Sequence, residues 1–235
     1  MKKNSDEIFE FLKITDINVQ KDVIKKFKSK KGPTKSSNWL TDNVLIGRLP
    51  NDCTEVEKIM KSKITLFVSL REYKEDYTKC IDIIDKKYKK KEIFYRFDIP
   101  DFGTRDPESI RALIDNIINY ININDGKVMI HCLGGHGRTG TVVCPLIAIL
   151  IFFKDIIKNV NKNEKLTWKE WDNKINNIAL ELFIRAQAYI MLSLRCHRET
   201  NKADLKTMKE IKIPETHAQD NIALDIIKLY IKDYL

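Results

Sequence analysis

The chain predicts an α/β fold, a mostly parallel central sheet flanked by helices, on three observations. Apolar strand-like runs at Val44–Gly47, Ile64–Leu70, Ile93–Phe97 and Val128–His131 alternate with helix-like stretches at Glu55–Met60, Asp76–Tyr88, Pro107–Ile123 and Gly140–Phe153. A glycine-rich loop, 133–137, stands between the last of those strands and the last of those helices. The helix that follows the loop, Thr141–Phe153, is apolar throughout, as a buried helix behind such a loop would be.

Taken in order, residues 5–31 read as helical, and Lys31–Ser37 breaks that pattern as a Gly-Pro linker. Residues 1–36 are therefore expected as a helical extension with its linker, and 37–235 as the main domain, helical from 153 onward. Asp106 before Pro107 reads as an N-cap with proline at the first helical position. Thr167-Trp168-Lys169-Glu170 is a capping-box pattern. It opens a helix toward Arg195 with Ile175, Ile178, Ala179, Leu182, Phe183, Ala186, Tyr189, Ile190 and Leu194 at helical spacing. The run Val142–Phe153 is shorter than a bilayer span and contains Pro145, so no membrane span is expected.

The loop His131-Cys132-Leu133-Gly134-Gly135-His136-Gly137-Arg138-Thr139-Gly140 carries the chemistry. Its glycines let successive backbone N–H groups turn inward as a nest for an oxyanion. The helix that begins near Arg138 adds the positive end of its dipole. That field favours the thiolate of Cys132, and a thiolate beside a bound phosphate is a nucleophile aimed at phosphorus. Arg138 can grip two phosphate oxygens with its planar fork, which lysine cannot.

Cys-x5-Arg within His-Cys-x-x-Gly-x-Gly-Arg-Thr-Gly resembles the signature of the cysteine-dependent protein tyrosine phosphatases, most closely the compact dual-specificity enzymes. Ser37–Pro50 resembles their first strand and turn. The resemblance covers about residues 37–153 well and 168–235 loosely. It implies the phosphatase fold, Cys132 as nucleophile and Arg138 as phosphate ligand. It also implies Thr139 as hydrogen-bond donor to the sulfur, and a phosphate cradle of Leu133, Gly134, Gly135, His136, Gly137 and Arg138. Phe97-Asp98-Ile99-Pro100-Asp101-Phe102-Gly103 resembles the family's acid loop, which makes Asp101 the general acid, with Asp98 second. His131 is expected to order the loop, and His136 to point outward at the pocket mouth. Pro214-Glu215-Thr216-His217-Ala218-Gln219 resembles an element whose glutamines position the hydrolytic water. Glu215 stands where many relatives have the first glutamine, and Gln219 would be supporting. The same stretch reads, and reads better, as a turn with Thr216 capping a last helix to Tyr234.

The resemblance implies a metal- and cofactor-free protein phosphatase acting on phosphotyrosine and on phosphoserine or phosphothreonine. The alternatives are the same chemistry on an RNA 5′-triphosphate or a phosphoinositide, and a non-catalytic phosphoprotein-binding module. The loop interior has no lysine for a multiply charged lipid head group, and Gly137 stands where RNA phosphatases often have asparagine. Net charge is +9, concentrated at Lys25–Lys31 and Lys86–Lys91. That charge keeps RNA as a second partner class behind phosphoprotein. The N-terminal segment could cover the site, exchange between protomers as a dimerisation element, or extend the core. Five scattered cysteines without metal-ligand spacing, and no apolar leader, suggest a reducing, cytoplasmic setting with nuclear access. One of the other four cysteines could form a protective disulfide with an oxidised Cys132.

Overall fold

In the computed structural model the described residues are 2–72, 77, 79–83, 93–160, 164–198 and 212–235. The basic run 86–91, and most of the helix expected over 76–88, lie outside them; 79–83 is helical. The elements run α1 (Lys2–Phe11), α2 (Ile17–Lys26), β1 (Lys30–Lys31), β2 (Ser37–Trp39), β3 (Val44–Arg48), α3 (Cys53–Lys61) and β4 (Leu66–Ser69). They continue as β5 (Ile93–Arg96), α4 (Pro107–Asn124), β6 (Val128–Cys132) and α5 (Gly137–Ile147). A π-helical turn (Ala148–Phe153) then leads into α6 (Lys154–Ile157), α7 (Trp168–His197) and α8 (His217–Tyr234).

The sheet has the order β1-β2-β3-β6-β4-β5. The four strands β3, β6, β4 and β5 are parallel, and β1 and β2 are antiparallel additions at one edge. The sheet is therefore mostly parallel with helices on both faces, as the alternation of elements predicts. Side chains along each inner strand alternate between two apolar layers. Val44, Ile46, Leu66, Val68, Val128, Ile130 and Cys132 face the large core beneath α1, α2, α4, α5, α7 and α8. Leu45, Phe67 and Met129 face a smaller core built by Val56, Ile59 and Met60 of α3 together with Tyr77 and Ile81.

Chain-local signals set most boundaries. Asp106 Oδ1 accepts from Ser109 N at 2.8 Å, and Pro107 occupies the first turn. Thr167 and Thr216 both close reciprocal capping boxes, with Glu170 and Gln219. The apolar stripe expected on α7 is buried throughout, and Tyr189 donates its hydroxyl to Leu40 O at 2.6 Å.

Four sequence expectations are corrected. The single helical reading of 5–31 splits, because Lys13 turns left-handed (φ 55°) and Asp16 starts a new helix by accepting from Asn18 N at 2.7 Å. The expected linker 31–37 is the turn of the β1–β2 hairpin. The helical run behind the loop extends to 21 residues over Gly137–Ile157, long and apolar enough to cross a bilayer, as is α7. Their apolar windows are 61% and 78% buried inside the protein, which satisfies those faces without lipid. Cys53 and Cys80, 27 residues apart, are joined in a disulfide that ties α3 to the helical turn at 79–83. Cys132, Cys144 and Cys196 are in no disulfide. The N-terminal segment extends the main core: Ile8 and Phe9 are fully buried in it, and α1 packs on α7.

Candidate active site

The centre of the site lies where β6 ends, at the carboxyl edge of the parallel strands and between β3 and β4. The alternation along β6 sends His131 and Cys132 to opposite faces of the sheet. His131 is fully buried, and desolvation pulls its pKa down to about 4, so the ring is neutral. Its Nδ1 lies 3.2 Å from Cys132 O, which can only accept; the proton therefore sits on Nδ1, and Nε2 accepts from the Tyr77 hydroxyl at 2.5 Å. His131 thus fixes the strand end and stays off the reacting face.

Cys132 is buried, and its Sγ accepts from Gly135 N at 3.2 Å. Gly135 has φ +76°, and a Cβ there would sit 2.4 Å from Gly47 O on β3. The loop can press its amides toward the sulfur only because this position has no side chain. At Gly134 a Cβ would meet nothing closer than His136 Nδ1 at 3.4 Å. We therefore expect Gly135→Ala to lower stability by roughly 3 kcal/mol or more and to abolish anion binding, while Gly134→Ala keeps both within a few-fold of wild type. Melting curves with and without vanadate check the pair, and equal behaviour of the two would refute the argument.

Arg138 lies in the first turn of α5, where its guanidinium is buried against the acid loop. Nη2 pairs with Asp101 Oδ1 at 2.8 Å, and Nη1 reaches Ile99 O at 3.5 Å. Gly103 N donates to Pro100 O at 3.0 Å, so Pro100–Gly103 is a tight turn that presents Asp101 and an exposed Phe102 in left-handed backbone. Gln219 Nε2 donates to Gly103 O at 3.3 Å and braces the turn from α8. Asp98 faces elsewhere, forked onto Arg96 at 2.6 and 3.2 Å.

These groups enclose a cleft of about 140 Å³. Its lining brings Cys132, Arg138 and Asp101 together with loop residues Leu133, Gly134, His136 and Gly137, and with Phe102, Glu215 and Gln219. Gly135 contributes its amide from beneath. Thr216 caps α8, and Gln219, fully buried, reaches the cleft. Glu215 lies against Gly137, and burial, followed by the charge of Asp101, pushes its carboxyl above the usual range.

Two expectations fail here. His136 does not point outward: it is held between Arg198 Nη1, 3.4 Å from Nε2, and Glu215 Oε1, 4.0 Å from Nδ1. Burial and the Arg198 charge pull its pKa down to about 3. The Thr139 hydroxyl is buried without a hydrogen-bond partner among the described residues, and the sulfur takes its bond from the Gly135 amide instead. Sequence reasoning missed Tyr77 and Arg198, which reach the loop from distant segments and carry no local motif.

The family model described as Swiss Army Knife protein, DSP-PTPase phosphatase domain, matches residues 34–172, more than half of the chain. The chain belongs to this family. The DSP-PTPase match spans the acid loop, β6, the Cys-x5-Arg loop and α5, and it makes the chain a dual-specificity-type phosphatase of the cysteine-based superfamily. Among solved structures the chain is similar to Tk-PTP in its active form, with 19% identity, 82% of this chain and 97% of that one covered, and a TM-score of 0.49. It is similar to the Yvh1 phosphatase domain from Chaetomium thermophilum (15% identity, 72% and 89% covered, TM-score 0.45). It is also similar to a human tyrosine phosphatase-like serine/threonine/tyrosine-interacting protein (12% identity, 86% and 99% covered, TM-score 0.46). No curated protein sequence matches the chain.

Proposed function

We propose that this DSP-PTPase chain hydrolyses phosphotyrosine in proteins, and phosphoserine or phosphothreonine more slowly, through a cysteinyl-phosphate intermediate and without a metal. The observation that carries this reading is the convergence of Cys132, Arg138 and Asp101 on one cleft of about 140 Å³. The Cys132 thiolate attacks phosphorus, the bond from phosphorus to the substrate oxygen breaks, and the Asp101 carboxylic acid protonates that oxygen as it leaves. Arg138 and the amides of residues 133–137 hold the three remaining oxygens and supply the positive charge a metal would otherwise bring. Water then attacks the cysteinyl-phosphate, the Asp101 carboxylate takes its proton, and the sulfur–phosphorus bond breaks to give phosphate and thiolate. Gln219 orients the water.

Two features support an aryl phosphate. Phe102 and Leu133 stand exposed at the cleft mouth, where apolar side chains would flank a ring. A cavity of about 150 Å³ takes one benzene, so the cleft suits a phosphoryl group and its bearing ring better than a bulky, multiply phosphorylated head group. No lysine lines it.

Phosphate release from phosphotyrosine, phosphoserine and phosphothreonine peptides, measured in chelator, tests the reading. We expect turnover on all three, fastest on phosphotyrosine, with Asp101→Asn slower by about 10²-fold or more. Release only from an RNA 5′-triphosphate or an inositol phosphate would overturn the protein-substrate assignment.

A further inference from the structure

Arg198 directly follows α7, and its backbone N–H donates to Leu194 O at 3.0 Å. The side chain turns back to the phosphate loop. Nε donates to Asn38 Oδ1 at 2.8 Å, and Asn38, fully buried in β2, donates its own Nδ2 to Ser193 Oγ at 2.6 Å. Nη1 lies 3.4 Å from His136 Nε2. A guanidinium can only donate, so His136 presents its lone pair there and carries its proton on Nδ1, toward Glu215. The neutrality of His136 is what permits this contact. Nη2 is buried and has no hydrogen-bond partner among the described residues.

A buried cation whose Nη2 meets no partner among the described residues costs stability and is better explained by the charge it serves than by packing. Burial pulls the Arg198 pKa down to about 10; a negative charge on Cys132 would oppose that, and the neighbouring Arg48 adds to it. An anion held in the loop would be attracted by the same guanidinium charge. Both of its bonds fix loop geometry: one end holds β2, the other holds His136, the residue just before α5.

We infer that Arg198 is a positioning residue for the phosphate loop, tying His136 to β2 and lending its charge to the anion held there. The inference rests on the anion-binding role of the loop stated under Proposed function. It does not rest on the identity of the substrate.

The test compares wild type with Arg198→Met and Arg198→Lys. Three readouts apply: vanadate binding, Cys132 alkylation by iodoacetate relative to iodoacetamide, and melting temperature. Iodoacetate is drawn by the anion site and iodoacetamide is not, so their rate ratio reports loop shape separately from thiol access. We expect Arg198→Met to weaken vanadate binding by about 10-fold and to lower the alkylation ratio by a similar factor, with melting within a few degrees of wild type. Arg198→Lys keeps the cation without the two-point span and recovers part of each loss. A folded Met variant with wild-type vanadate binding and alkylation ratio overturns the proposal. So does a loss that lowers melting and affects both reagents alike. If the Met variant fails to fold, the Lys variant decides by the same readouts. A wild-type protein that binds vanadate but hydrolyses no phosphopeptide would overturn the substrate reading and leave this inference standing.

Discussion

We expect Cys132→Ser to release phosphate from a phosphotyrosine peptide on the order of 10⁴-fold more slowly than wild type, or slower, while still binding the peptide. Serine has nearly the same shape as cysteine, and the Gly135 amide that lies 3.2 Å from Sγ can bond its hydroxyl instead. The cradle of amides and Arg138 therefore survives. What is lost is the nucleophile: a hydroxyl is not ionised near neutral pH, and its position within β6 offers no adjacent base, since His131 points to the other face of the sheet. Single-turnover phosphate release and peptide-binding calorimetry, run on the same preparation, separate the two effects. Wild-type turnover in the serine variant would end the cysteinyl-phosphate mechanism.

Arg138→Lys should lower kcat/KM by roughly 10²–10³-fold, with most of the loss in kcat. The guanidinium reaches Asp101 Oδ1 with one arm and Ile99 O with the other, from a buried position. An ammonium group is one point where a fork of two is needed, and it would either reach the acid loop or serve the phosphate. Because negative charge on the equatorial oxygens rearranges as the phosphoryl group transfers, the lost bonds weigh more on the transition state than on substrate binding. The same substitution releases Asp101 from its partner, so Arg138→Lys and Asp101→Asn should combine less than additively. Kinetics of the two single variants and the double variant check this; a fully active lysine variant would show that charge alone is sufficient.

Much of this site is legible in the sequence because its parts are local. The strand 128–132, the five-residue interval from Cys132 to Arg138 and the glycines between them are contiguous, so spacing alone implies a shared loop. Asp106, Thr167 and Thr216 declare helix starts through side chains that bond amides three residues on. Asp101 is nearly as readable, since Pro100 and Gly103 fold its turn locally. Residues that act across the fold are different. Arg198 reaches the loop through β2 and α7, Tyr77 through the opposite layer, and the Cys53–Cys80 bridge joins segments that meet only once α3 has packed under the sheet. The outward placement expected of His136 assumed a solvated ring. Its partners come from 198 and 215, far along the chain, and their contact reverses the expectation.

The span matched by the family model ends at residue 172, and the cleft does not. Cys132, Arg138 and Asp101, proposed above as nucleophile, phosphate ligand and general acid, all lie inside it. Glu215 and Gln219 at the rim, and Arg198 behind the loop, come from later in the chain. The cleft is therefore assembled from two stretches of polypeptide, one inside the matched span and one beyond it. A substitution at Glu215 or Gln219 thus alters the wall of a cleft whose Cys132, Arg138 and Asp101 lie within the matched span.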